Sequence, residues 1–81
     1  MMNKRLEEIV REVFKLDNKI IEETWSSDDI PEWDSLGHLN LLLAIEKEFN
    51  IKFEIEEMFQ IQRIGDIDET LGKKIGVHKE G

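Results

Sequence analysis

The stretch from Pro31 to Phe49, PEWDSLGHLNLLLAIEKEF, decides how this chain folds. Pro31 disfavours helix for Ile30, and Asp34 or Ser35 then offers a side-chain oxygen suited to an N-cap. From Leu36 to Phe49 there is no proline and no β-branched run, and Leu, Ala, Glu and Lys dominate, so a long helix is expected with a serine at its mouth. Its apolar residues fall in two stripes. Leu41, Ile45 and Phe49 follow the i, i+4, i+8 rule on one side, and Leu36, Leu39 and Leu43 lie roughly opposite. Either the helix is surrounded by a bundle on most sides, or part of the second stripe stays at the surface to dock partners.

Before this helix, Leu6, Ile9, Val10, Val13 and Phe14 recur at helical spacing among charges and predict helix one over residues 3–14, with Asn3 as its cap. The connection from Lys15 to Glu32 is longer than ordinary loops, and Leu16, Ile20, Ile21, Trp25 and Ile30 are the anchors that would pin it across the bundle. Within it, Ser26-Ser27-Asp28-Asp29 lacks the glycine and the downstream glutamate of an EF-hand loop and reads as a solvated turn. After Phe49, Asn50 suits a left-handed terminator, Phe53 faces inward, and a short helix is expected around residues 56–62. Asp66 is the expected cap of a last helix carrying Ile67, Leu71 and Ile75, weakened by Gly72 and ended by Gly76. The fold class is therefore all-α: a small four-helix bundle with a long loop between helices one and two and a short third helix. It forms a single domain over 1–81, ordered over about 3–76 and frayed over 77–81.

Composition narrows the function. In 81 residues there is room for one modest core and none for an active site walled off by a second domain. Nineteen acidic against eleven basic residues give a formal charge of −8, which repels nucleic acid and anionic membranes and favours basic protein partners. Cysteine is absent, so any thioester chemistry must use a thiol added later. No apolar run approaches a membrane span, and Met1-Met2-Asn3-Lys4-Arg5 leads into Glu7 and Glu8 rather than a signal-peptide core, so a soluble, cytoplasmic monomer without membrane insertion is expected.

Taken alone, Ser35 reads as an ordinary helix cap. A hydrolase reading, with His38 one turn away as base and Asp34 as orienter, lacks a Gly-x-Ser-x-Gly elbow and any evident oxyanion site. His38 lies near the edge of the Leu41/Ile45 stripe, where a contact with Trp33 at the position before the cap is a better reading than metal binding; no metal site is expected.

The residues also carry a family resemblance. Asp34-Ser35-Leu36, the leucine-rich helix and the closing Ile45-Glu46-Lys47-Glu48-Phe49 resemble the signature of acyl carrier proteins, and the likeness runs on through Phe53, Ile61, Ile64 and Leu71, covering the chain from Leu6 to Ile75. In that family the serine matching Ser35 is esterified by 4′-phosphopantetheine, whose thiol carries acyl groups between enzymes. The resemblance implies a carrier that catalyses nothing itself, with Asp34 helping the modifying phosphopantetheinyl transferase. It also implies a partner surface of Leu36, Leu39, Leu43 and Glu46 for acyl-transferring or acyl-activating enzymes with basic docking surfaces. A helix mouth suits the phosphodiester, because its first amides lack intrahelical partners and its macrodipole is positive there. Fatty-acid-synthesis carriers usually place acids at the positions of Gly37 and Asn40, so the departure here points to a specialised fatty acid or polyketide-like pathway. An aminoacyl or peptidyl carrier, or an unmodified helical adaptor with the same fold, are the alternatives.

Overall fold

The computed structural model describes the backbone of residues 2–16 and 20–80, with side chains to Ile75. Four helices follow in order among the described residues: α1 (Lys4–Phe14), α2 (Ser35–Phe49), α3 (Ile55–Gln60) and α4 (Ile64–Glu80). The all-α expectation holds; extended pairing among the described residues is confined to an isolated bridge between Ser26 and Arg63.

Local chemistry sets the boundaries of α1 and α2. Asn3 Oδ1 accepts from Arg5 N and Leu6 N at 2.8 and 3.1 Å and opens α1. Asp34 Oδ1 accepts from Gly37 N at 2.8 Å and opens α2, so the cap is the aspartate and Ser35 is the first helical residue. Lys15 and Asn50 close the two helices in the left-handed conformation, with φ of 55° and 57°.

Apolar burial then brings the elements together. Leu6, Ile9, Val10 and Phe14 of α1 meet Leu41, Leu42 and Ile45 of α2 and Ile64, Ile67 and Leu71 of α4. Phe53 and Ile61 plug the core from either side of α3. None of the six residues of α3 is fully buried, so α3 is held by its flanks, by partly buried Met58 and by the Lys74–Glu57 ion pair at 2.8 Å.

The long connection crosses this core as expected, anchored by Leu16, Ile21, Ile30 and Trp33. Ile20 corrects the list of anchors: it is 77% exposed, while its neighbour Ile21 is buried. The acidic run is a turn, with Asp29 Oδ2 accepting from Ser26 N at 3.0 Å. Trp25 and Glu23 carbonyls accept from Ile64 N and Gly65 N at 2.9 and 2.8 Å, so the loop supplies partners for the first amides of α4.

The last helix departs from expectation at both ends. It starts at Ile64 rather than after Asp66, because Ile64 belongs to its buried face. Asp66 instead reaches back from the first turn to accept from Gln62 N and Arg63 N, both at 3.1 Å. At the other end its backbone runs past Gly76 to Glu80, so Gly76 does not end the helix as expected. The third helix is shorter than expected at its C-terminus, because Ile61 leaves the helix for an extended conformation and drops into the core.

Candidate functional site at the mouth of the second helix

Ser35 stands exposed at the first position of α2, where the backbone donors are not yet committed to the helix ladder. The neighbouring carboxylate of Asp34 is turned inward to the Gly37 amide, so the serine hydroxyl is not needed to cap the helix. An oxygen-linked phosphate on this side chain would meet the positive end of a helix of fifteen residues, which is the donor chemistry such a group needs. The residues present therefore fit the arm that the resemblance implies.

A cleft of about 750 Å³ opens beside the serine. Trp33, Asp34, Ser35 and His38 form one side, the loop residues Ser26 to Asp28 a second, and Met58, Phe59, Ile61 and Gln62 a third. His38 is not a base for Ser35. Its Nδ1 lies 2.9 Å from Trp33 Nε1, which donates to it, and its Nε2 lies 2.9 Å from the Met58 carbonyl oxygen, so both ring nitrogens are engaged elsewhere. With Asp34 bonded to Gly37, the geometry of a hydrolytic triad is absent. Among the described residues no group of three or more His, Cys, Asp or Glu is placed to hold a metal ion.

The expected contact between His38 and Trp33 is present, and it is stronger than a staple. The two rings stack with centroids 6.1 Å apart, and behind them Phe14 packs 5.5 Å from Trp33. At about 100° per residue, Leu41, Ile45, Phe49 and Leu42 span an inward arc of roughly 100°, and His38 falls near its middle. Sequence reasoning left Leu42 out of both stripes, yet it is buried. The signal was its closeness to Phe49 on the helical wheel.

Leu36, Leu39 and Leu43 occupy the opposite arc and are exposed, so they are available to a partner. Glu46 has an internal duty: its Oε2 accepts from Phe53 N at 2.8 Å and ties the end of α2 to the link before α3. Glu48 is likewise engaged, with Arg5 at 3.0 Å.

Gly37 has a steric reason that its sequence did not announce. A Cβ there would stand 2.1 Å from the Glu32 carbonyl oxygen, a collision with backbone rather than with a side chain that can turn away. An acid at this position therefore requires the backbone of the preceding loop to shift. Gly72 faces open space, with nothing within 4 Å of an added Cβ. Gly72→Ala should raise stability by about 0.5–1 kcal/mol, the intrinsic helix preference, whereas Gly37→Ala should lose about 1–3 kcal/mol despite the same preference. Thermal or urea melts of the two variants check this, and equal gains would mean the Glu32 backbone yields freely.

Comparison with known proteins agrees with this geometry. Residues 4–71 match the family model described as a phosphopantetheine attachment site. A holo acyl carrier protein from Geobacter metallireducens, solved in solution, is 34% identical; the match covers 94% of this chain and 87% of that one, with a TM-score of 0.85. A chain from Mycobacterium tuberculosis assigned as an acyl carrier protein shares the fold at a TM-score of 0.77 and 19% identity, over 85% of this chain and 92% of that one.

Proposed function

The chain belongs to the acyl carrier protein family, and from that premise we propose that Ser35 is the residue that receives the 4′-phosphopantetheine arm and that the protein delivers acyl cargo to biosynthetic enzymes of a specialised pathway. The family is one of carriers, not enzymes. The observation that carries the assignment is Ser35 itself: an exposed serine, dispensable as a cap, at the first position of a long helix. The arm, when bound, supplies the thiol that this cysteine-free chain lacks. The chain's own residues do the rest. The first amides of α2 would help to hold the phosphate, Asp34 fixes the register of the helix mouth, and the cleft between α2, α3 and the loop leaves room beside the attachment point. Incubation with coenzyme A and a broad-specificity phosphopantetheinyl transferase should add one arm by intact mass; no gain would favour an unmodified adaptor.

Leu36, Leu39 and Leu43 are the residues we assign to partner docking, and the net acidic charge of the chain favours basic enzymes. Glu46 contributes to that surface indirectly, by fixing the approach to α3. Since Gly37 is dictated by packing, the specialised-pathway reading rests on Asn40, which is exposed and free of such a constraint. One rim charge contributes about 0–1 kcal/mol and mainly speeds encounter. Asn40→Glu should therefore raise acceptance by a fatty-acid-synthesis enzyme up to about fivefold at low salt, the gain fading at moderate salt. Unchanged acceptance at both salts would mean that Asn40 does not set partner choice.

A further inference from the structure

We propose that the cargo of this carrier is a short acyl group bearing a hydroxyl or an amine, held in the cleft beside Ser35, and that the hydrogen-bonded chain Trp33–His38–Met58 bars long alkyl groups from the core. The inference rests on Ser35 as the attachment point and adds the class of cargo.

Helical geometry sets the route that a tethered group can take. Ser35, His38, Leu42 and Ile45 follow i, i+3, i+7 and i+10 and lie along one side of α2. A group attached at Ser35 and heading for the buried Leu42 and Ile45 therefore meets the half-buried His38 first. That ring is tied on both sides. An indole N–H can only donate, so His38 Nδ1, 2.9 Å from Trp33 Nε1, accepts. A carbonyl oxygen can only accept, so His38 Nε2, 2.9 Å from Met58 O, donates. The ring thus joins the residue before the α2 cap to α3, across the route from Ser35 to the core.

Opening that route is unfavourable on two counts. Parting His38 from Trp33 leaves the indole N–H of a residue only 5% exposed without its acceptor. Beyond the ring, Leu41, Leu42 and Ile45 are all but inaccessible, and an entering chain has to displace side chains already in contact. The cleft itself stops short of them: its walls include Trp33 and Ile61, but none of the buried side chains of α1, α2 or α4.

What the cleft offers cargo is a mixed surface. Met58, Phe59 and Ile61 supply apolar contact, and Ser26, Ser27 and Asp28 supply hydroxyls and a carboxylate from the loop. An alkyl group laid over the loop wall strips water from those polar groups and replaces none of it, whereas a hydroxyl or an amine can pair with them. Asp28 and Asp34 together disfavour an anionic group. The cleft, of about 750 Å³, begins at the attachment residue, so arm and cargo share it and a short group fits better than a long one.

The test loads the chain from octanoyl-, butyryl- and 3-hydroxybutyryl-coenzyme A with a broad-specificity phosphopantetheinyl transferase, verifies each product by intact mass, and compares NMR shifts with those of the chain bearing the arm alone. The octanoyl group should leave the methyls of Leu41, Leu42 and Ile45 where they are, and the 3-hydroxybutyryl group should move the amides of Ser27 and Asp28 further than the butyryl group does. In His38→Ala the octanoyl group should reach the core and shift those methyls, while in His38→Gln, whose amide can both accept from Trp33 and donate to Met58, they should stay in place. Core methyls that move with octanoyl in the unaltered chain, loop amides that respond equally to butyryl and 3-hydroxybutyryl, or core methyls unmoved by octanoyl in a folded His38→Ala variant would each overturn the proposal while Ser35 stands as the attachment point. A chain that gains no mass would overturn the Ser35 assignment first, and this inference with it.

Discussion

Ser35→Ala is expected to abolish attachment of the phosphopantetheine arm completely while leaving the fold and its melting temperature nearly unchanged. The two halves of this expectation come from different atoms. Attachment needs the hydroxyl oxygen, and no cysteine can substitute for it. Stability needs the cap, which is Asp34 Oδ1 on Gly37 N at 2.8 Å and is untouched by the change. Exposed substitutions of this kind fall within about 0.5 kcal/mol, or roughly 2–4 °C in a domain of this size. Asp34→Ala is the contrasting variant: it should cost about 0.5–2 kcal/mol by removing the cap, and its effect on attachment reports what the transferase needs from that carboxylate. Intact mass after incubation with coenzyme A and the transferase measures the first half, and thermal melts measure the second. An arm found on the alanine variant would move the attachment point away from Ser35.

What could be read in the sequence follows from how local each determinant is. Helix α1 was legible because its period and its Asn3 cap lie within a dozen residues of one another. The start of α2 was legible to within one residue, and the choice between Asp34 and Ser35 as cap needed the backbone direction that only the folded loop supplies. Leu36, Leu39 and Leu43 could be grouped by helical spacing, but spacing alone did not say whether anything covered them. Three features depend on contacts that helical periodicity does not encode and had no signal in the sequence. Gly37 is a glycine because Glu32 passes over it. Ile64 joins α4 because the Trp25 carbonyl takes its amide and the core takes its side chain. Glu46 serves the amide of Phe53, seven residues on, before it serves any partner. The His38 ring shows both regimes together: its contact with Trp33 was readable from capping geometry, and its bond to Met58 was not, since the partner is a carbonyl that every residue possesses.

The two faces of α2 are expected to separate sharply in stability. Leu41, Leu42 and Ile45 are all but inaccessible to solvent, and truncating any of them to alanine should cost about 2–5 kcal/mol, the transfer term together with the cavity left behind. For a domain this small, whose total stability is of the order of 0.05–0.15 kcal/mol per residue, such a loss is a large fraction of the whole. Leu42→Ala carries the most weight, because Leu42 belonged to neither stripe on spacing alone and sits at the edge of the inward arc. Leu36, Leu39 and Leu43 keep 66%, 46% and 50% of their surface exposed, so their alanine variants give up little burial and should each cost well under half as much. The outward set should instead weaken partner enzymes and the transferase, and the inward set should do so only to the extent that it unfolds the chain. Urea melts of Leu36→Ala and Leu42→Ala side by side decide the point. Equal losses would mean that the outward leucines are core, and that α2 has no apolar face to offer a partner.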